Sequence, residues 1–215
     1  MKKYLLKTNY KQILADTITP VSIYLKIRDK FPNSILLDSS DYHANDNSFS
    51  YICFNPIASI KVAHQKIETN FPDGFSEIIP IDADINIAKE IENFSNQFQT
   101  EKSDFKFITQ GLFGYIAYDA IQYFEKVSIA KKTTENEIPD IFYAVYQNII
   151  AINHFKNEAY LFCHSFDGSN NIAEIEQVLQ SKNFASFSFQ TSGNGISNLT
   201  DDDFKKYVAI GKKHC

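Results

Sequence analysis

The sequence predicts an α+β fold, built mainly of antiparallel strands with helices laid against them. Three observations predict it. Two apolar segments, Ile141 to Asn153 and Glu158 to Ser165, flank the short turn His154-Phe155-Lys156-Asn157, as paired strands do. Ser48 to Phe54 opens with alternating polar and aromatic residues, the pattern of a half-buried strand. Helical spacing appears in four separate segments, each opened by a capping residue or followed by a breaker.

The first helix opens at Thr19-Pro20-Val21-Ser22. Thr19 can cap free N–H groups, and Pro20 fits the first helical position, where its missing donor costs nothing. Val21, Tyr24, Leu25 and Arg28 share one face, Phe31 follows one turn on, and Pro32 ends the helix. Ile35-Leu36-Leu37 reads as a short strand closing on Asp38-Ser39-Ser40-Asp41. After the strand at Ser48 to Phe54, Asn55-Pro56 bends the chain into a second strand, Ile57 to His64. Phe71-Pro72-Asp73-Gly74 is turn chemistry. Asn86 to Phe98 suits a helix through Ile87, Ile91, Phe94 and Phe98. Gly111 to Glu125 starts as a buried strand, with glycines where another backbone comes close, and ends as a short helix from Asp119. Asn171 to Ser181 is an amphipathic helix through Ile172, Ile175, Val178 and Leu179, and Phe184 to Phe189 alternates like an edge strand. Ser192-Gly193-Asn194-Gly195 reads as a linker. Beyond it, Thr200-Asp201-Asp202-Asp203 caps a last helix whose acidic start and basic end both complement its dipole.

The chain has 215 residues, long enough to bury a core without disulfide or metal staples. Its 26 acidic residues outnumber 21 basic ones, which argues against an electrostatic nucleic-acid binder. No apolar run approaches a membrane span, and Met1 to Leu6 lacks the sustained apolar stretch of a secretory signal. Cys53, Cys163 and Cys215 are far apart, with no Cys-x-x-Cys pair, so neither a zinc site nor a disulfide framework is expected. The expected compartment is the cytoplasm.

Phosphate loops, nucleophile elbows and zinc-protease motifs are absent from the sequence. The five histidines, His43, His64, His154, His164 and His214, read as surface or turn residues. Cys53 and Cys163 sit in apolar strand patterns and read as buried, inert thiols. Asp38-Ser39-Ser40-Asp41 clusters acceptors at a strand end. Such a cluster serves either as a turn or as a small pocket, in which Asp38 pairs with a ligand ammonium and Ser39 binds its polar end. Tyr118 and Asp119 could present polar groups to an interface.

These segments resemble the N-terminal region of the large subunit (component I) of anthranilate synthase. The family's Thr-Pro-Val helix start is Thr19-Pro20-Val21, and its Leu-Leu-Glu-Ser strand is Leu36-Leu37-Asp38-Ser39. Its aromatic-Ser-aromatic-Ile strand is Phe49-Ser50-Tyr51-Ile52. A longer signature, Gly-x-x-Gly-Tyr-x-x-Tyr-Asp-x-x-Arg-aromatic-aromatic-Glu, matches Gly111 to Asp119 and Tyr123-Phe124-Glu125. Pro139-Asp140 stands where the family has Pro-Asp before its next strand. Two departures are Asp38 for the usual Glu, one methylene shorter, and Gln122 for the usual Arg, which removes a guanidinium fork.

The resemblance implies a two-sheet αββα sandwich of which this chain supplies the N-terminal half. Residues 1–190 would be the regulatory domain, and residues 191–215 a linker and first helix leading into a catalytic chorismate-binding region that the chain does not include. It implies an enzyme, a lyase that converts chorismate to anthranilate and pyruvate. That enzyme uses magnesium and takes ammonia from a glutamine amidotransferase partner, component II. It also implies tryptophan as a feedback inhibitor held by Leu37, Asp38 and Ser39, with Phe49 and Ser50 beside them. Gly111, Gly114, Tyr118, Asp119 and Glu125 belong to the structural and interface signature. Neither a catalytic residue nor a metal ligand is assigned within these 215 residues, so the chain alone is expected to be inactive and to expose apolar surface that promotes self-association. The related readings are aminodeoxychorismate synthase component I and a stand-alone amino-acid-binding module.

Overall fold

A computed structural model describes residues 2–38, 48–82, 84–127, 129, 138–181, 188, 190–193 and 195–214. The chain divides into two compact units, Met1–Ala185 and Ser186–Cys215. Among the described residues of the first unit, nine strands join in one sheet: β1 (Tyr4–Leu14), β2 (Ile35–Leu37), β3 (Phe49–Ala63), β4 (Lys66–Asn70), β5 (Ser76–Pro80), β6 (Phe98–Thr100), β7 (Phe113–Ile116), β8 (Ile141–Asn153) and β9 (Glu158–Ser165). The main order is β5-β4-β3-β8-β9-β1-β6, with β2 also on β3 and β7 also on β8. Every pairing is antiparallel except β1 with β6. Helices α1 (Pro20–Ile27), α2 (Ile87–Ser95) and α3 (Ile172–Gln180) flank the sheet. The architecture is therefore mixed α+β with a large, mostly antiparallel sheet.

The two long strands β3 and β8 form the spine, pairing from Phe49 opposite Asn153 to Val62 opposite Ile141. The sequence suggests two strands here, broken at Asn55-Pro56. The structure keeps them as one, with a register shift between Pro56 and Ala58. Ile57 is the extra residue, Asn55 just before it takes a left-handed φ of 55°, and a proline is tolerated at such an irregularity. Asn55 Nδ2 donates to Asn148 Oδ1 (2.8 Å), and the fully buried Asn148 donates in turn to Asn171 Oδ1 (2.7 Å) at the start of α3. A buried amide needs such partners, so this chain of amides ties the bulge to the helix.

The apolar core lies in three clusters. The first packs Ile23 and Ile27 of α1, and Ile172, Ile175, Val178 and Leu179 of α3, on Ile52, Phe54, Ile150 and Leu161. The buried face of α1 centres on Ile23 and Ile27, while of the expected stripe Tyr24, with Phe31 beyond the helix, packs partly buried against the same cluster. Ile23 and Ile27, four residues apart, point inward, while Val21 is exposed. Thr19 caps the helix as the sequence suggests: its hydroxyl accepts from Ser22 N, and Ser22 Oγ accepts from Thr19 N. The second cluster sets Ile87 and Phe94 of α2 against Ile60, Val62, Ile67 and Ile141. Phe98, expected as the last residue of this helix stripe, instead begins β6 beside β1. The third is aromatic: Phe105 and Phe107 lie against Tyr160, Phe162 and Phe49.

In the second unit, α4 (Asp201–His214) begins where the sequence predicts. Asp203 N donates to Thr200 Oγ1 (3.2 Å), and the Thr200 hydroxyl donates to Asp203 Oδ2 (2.7 Å), so the Asp carboxylate closes the cap through the hydroxyl. The expected edge strand Phe184 to Phe189 falls almost wholly outside the described residues, as does Asn194 of the linker.

Gly114 has a specific steric reason. A Cβ built there would lie 1.9 Å from the Phe142 carbonyl oxygen and 2.8 Å from Tyr143 Cα on the neighbouring β8. Both obstacles are backbone of a paired strand, so neither can swing aside. Gly114→Ala is expected to destabilise the chain by about 3 kcal/mol, the upper range for overpacking. Urea denaturation checks this, and an unchanged midpoint would contradict it.

Candidate functional site

The register of the spine brings together side chains that are far apart in sequence. Ser50 pairs with Ile152 across β3 and β8, so the turn after β8 ends beside the start of β3. His154 heads that turn, and its N–H donates to the Ser48 carbonyl (3.1 Å). Asn153 Oδ1 accepts from the N–H groups of Phe155 (3.0 Å) and Lys156 (2.9 Å), which fixes the turn. From the opposite side, β2 pairs with β3 through Leu37 opposite Tyr51, which delivers Asp38 to Ser50.

The result is a cluster of three polar side chains. The Ser50 hydroxyl donates to Asp38 Oδ1, and His154 Nε2 lies 2.6 Å from the same Ser50 oxygen. His154 Nε2 is 4.0 Å from Asp38 Oδ1. Ser50 is fully buried, whereas the Asp38 and His154 side chains are 49% and 34% exposed. A hydroxyl has one proton, and an ionised carboxylate only accepts. With that proton on Asp38, His154 Nε2 must be the donor to Ser50. Ser50 is therefore not a nucleophile primed by a base, because its proton goes to a carboxylate and the imidazole has no free lone pair on that side. What the cluster can do is hold one carboxylate in a fixed orientation, half in solvent, as a counter-ion for a cation.

The candidates read from sequence divide between two sides. Asp38 and Ser50 meet, on the side where Leu36, Ile52 and Phe54 join the α1–α3 core. Phe49 belongs to the aromatic cluster, stacked on Phe107 with centroids 4.5 Å apart, and Leu37 alternates away from Asp38. Ser39 lies outside the described residues. His154 joins the cluster although its sequence context showed only a turn. The register of the two long strands was the signal that could have placed it.

The long signature forms a second constellation. Gly111 adopts a φ of +139°, where a side chain would be strained, and Gly114 lets β7 approach β8. A 3₁₀ segment, Tyr118–Tyr123, follows β7. Tyr123 Oη donates to Asp140 Oδ2 (2.6 Å), and Ala117 N donates to the Asp140 carbonyl (2.8 Å), so Asp140 clamps both ends of the segment. Burial, then the Asp140 carboxylate, pushes the Tyr123 phenol well above its ordinary pKa. Gln122 Nε2 donates to the Asp119 carbonyl (2.9 Å), a local bond within the 3₁₀ segment. Tyr118, Asp119 and Glu125 are exposed, Tyr118 at 88%.

His164 corrects the reading of the histidines as surface residues. It is 1% exposed near the end of β9, its ring parallel to Phe162 at 6.1 Å. Nε2 faces the Thr109 carbonyl (2.8 Å), which only accepts, so Nε2 carries the proton and Nδ1 takes the Thr8 hydroxyl (2.9 Å). Strand alternation turned the residue inward, and two local partners satisfied it. Beside it lies a cavity of about 130 Å³, bounded by Leu6, Phe98, Leu112, Ile149 and Gly111 among others. Burial holds the His164 pKa below its ordinary value, opposed in part by the Thr109 bond. Cys53 and Cys163 are buried, and burial raises both thiols. His43 lies outside the described residues.

Among the described residues no group of three or more His, Cys, Asp or Glu side chains converges to hold a metal ion. No helix among them is long and apolar enough to cross a membrane.

Comparison with known proteins bears on these sites. A family model described as chorismate binding enzyme matches residues 33–215. The chain is 28% identical over 215 residues to a Lactococcus lactis protein named anthranilate synthase component 1, covering 94% of this chain and 44% of that relative. It is 28% identical over 160 residues to the protein of the same name from Neisseria meningitidis, covering 72% of this chain and 32% of that one. The chain thus spans less than half the length of these relatives. Among solved structures, anthranilate synthase component I from Streptococcus pneumoniae aligns with a TM-score of 0.46 and 20% identity, over 80% of this chain and 36% of that one.

The buried His164 sets a pH dependence whose sign is fixed. Its folded pKa is lowered, so below the ordinary value near ~6.5 the unfolded chain binds a proton that the folded chain refuses. Stability therefore falls as pH drops through that range, with a slope of at most roughly 1.4 kcal/mol per pH unit from this residue. Thermal melts between pH 7.5 and 5.5 should show the fall, and His164→Gln should flatten it while lowering the melting temperature at pH 7.5. An equal slope in both proteins would contradict this.

Proposed function

Because the chain belongs to the family of chorismate binding enzymes, we propose that it forms the N-terminal regulatory part of an anthranilate synthase component I. The observation that carries the reading is the likeness to the Lactococcus lactis protein of that name, which extends over 94% of this chain. The whole enzyme would be a cytoplasmic lyase that converts chorismate, with glutamine or ammonia, into anthranilate and pyruvate in tryptophan biosynthesis. Its ammonia would come from a glutamine amidotransferase subunit. Magnesium would serve the reaction through ligands outside the residues described. Such chemistry needs an acid or base and a metal at the leaving groups, and we assign both to the part of the relatives that these 215 residues do not span.

The regulatory role is supported by the Asp38 cluster. A half-exposed carboxylate steadied by a buried hydroxyl suits the ammonium of an amino acid, because charge-assisted bonds to a fixed carboxylate are stronger than neutral ones. Tryptophan is the amino acid proposed, with Leu37, Asp38, Ser39, Phe49 and Ser50 as its neighbourhood. Asp38 in place of the family's Glu shortens the reach to the ligand and makes weak binding the expectation.

Two measurements test the reading. Purified chain given chorismate, magnesium and ammonia should form no anthranilate. The same chain fused to the C-terminal part of the Lactococcus lactis relative should restore growth without tryptophan to a bacterium lacking component I. Anthranilate formed by the chain alone, or 4-amino-4-deoxychorismate formed by the fusion, would overturn it.

A further inference from the structure

His154 is the member of the polar cluster that nothing in the sequence pattern marks as functional, yet the geometry gives it a defined task. Asp38 follows a strand of only three residues, and its side chain is 49% exposed. A carboxylate there would rotate freely unless held. Ser50 holds it, and Ser50 sits on a central strand with no exposure at all. The orientation of the Ser50 hydroxyl is set by what stands on its other side. His154 Nε2, 2.6 Å away, donates to the Ser50 oxygen and leaves the hydroxyl proton to point at Asp38. His154 is itself anchored by its N–H on the Ser48 carbonyl and by the turn that Asn153 closes.

We propose that His154 is a positioning residue for an amino-acid ligand: through Ser50 it aims the Asp38 carboxylate at the ligand ammonium. The proposal rests on the reading of Asp38 as the ammonium site. Asp38 Oδ1 accepts from Ser50, and among the described residues Oδ2 takes no hydrogen bond, which leaves it for the incoming cation. Among the described residues Asp38 is the one acidic group within 4.0 Å of the His154 ring.

The test uses the 215-residue chain, with L-tryptophan at millimolar concentration as the probe and indole-3-propionate, which lacks the ammonium, as the control. NMR titrations at pH 8.0 should show L-tryptophan binding His154→Ala about tenfold more weakly than the unsubstituted chain, because the donor that orients Ser50 is gone. Binding of the control should not change. In His154→Gln, whose amide can still donate to Ser50, affinity should recover to within about threefold of the unsubstituted chain. Asp38→Ala should abolish binding. If Asp38→Ala abolishes binding while His154→Ala binds L-tryptophan as tightly as the unsubstituted chain, the proposal for His154 is overturned and the reading of the site survives. If L-tryptophan binds the Asp38→Ala variant as well as the unsubstituted chain, or binds neither, the reading of the site fails and the ligand role of His154 with it. A ligand-free measurement tests the geometry separately. Nitrogen-15 NMR at pH 8.0 should find the His154 proton on Nε2, slowed in exchange, and Ser50→Ala should remove that protection. A proton on Nδ1 with Nε2 bare would overturn the positioning role.

Discussion

The pairing of β3 with β8 is the constraint on which the rest of the first unit depends. It sets Phe49 opposite Asn153 at one end and Val62 opposite Ile141 at the other, so every other strand takes its position from it, directly or through a neighbour. Because side chains alternate along a strand, the register also decides which residues enter which core cluster. The bulge at Asn55 to Ile57 lets one strand serve two cores. Before it, Ile52 and Phe54 face α1 and α3; after it, Ala58, Ile60 and Val62 join the cluster that contains α2. The amides of Asn55, Asn148 and Asn171 hold that irregularity, and leaving the buried Asn148 amide unsatisfied would cost on the order of 1–3 kcal/mol.

The same register builds the polar cluster. Ser50, Asp38 and His154 come from three separate elements, and each reaches the others only because β2 and the β8–β9 turn both meet the start of β3. The cluster's chemistry is that of a held charge, with a buried serine between a carboxylate and an imidazole, and this suits recognition of a cation more than bond cleavage. The aromatic cluster behind it, with Phe105 and Phe107 against Phe49, Tyr160 and Phe162, gives the spine a second supported side.

Much of this was legible in the residues. The strands Ile35–Leu37, Ile141–Asn153 and Glu158–Ser165 stand where alternation and turn chemistry place them, and α3 buries the stripe that its spacing predicts. The N-terminal strand Tyr4–Leu14 was not legible, because only Tyr4 and Leu6 are buried and the polar run from Lys7 to Gln12 carries no pattern. It is held instead by pairing with β9, an interaction over more than 140 residues of sequence that local spacing cannot reveal. The inward face of α1 was legible only in part: Tyr24 of the expected stripe packs on the core, but Ile23 and Ile27 form its buried centre and Val21 is exposed, because neighbouring apolar faces look alike until their partners are known. Of the site, Asp38 and Ser50 were visible as residue types in sequence. His154 and the burial of His164 needed the register, since a histidine in a turn or at a strand end looks the same whichever way it points.

The account's central claim is that Asp38, steadied by Ser50, receives the ammonium of an amino acid. A crystal structure of the chain grown with a large excess of L-tryptophan tests it most directly. The account predicts the ligand ammonium within hydrogen-bond distance of Asp38 Oδ2, with Ser50 still on Oδ1 and His154 still on Ser50. Tryptophan bound elsewhere, with the Asp38 carboxylate facing solvent alone, would contradict it.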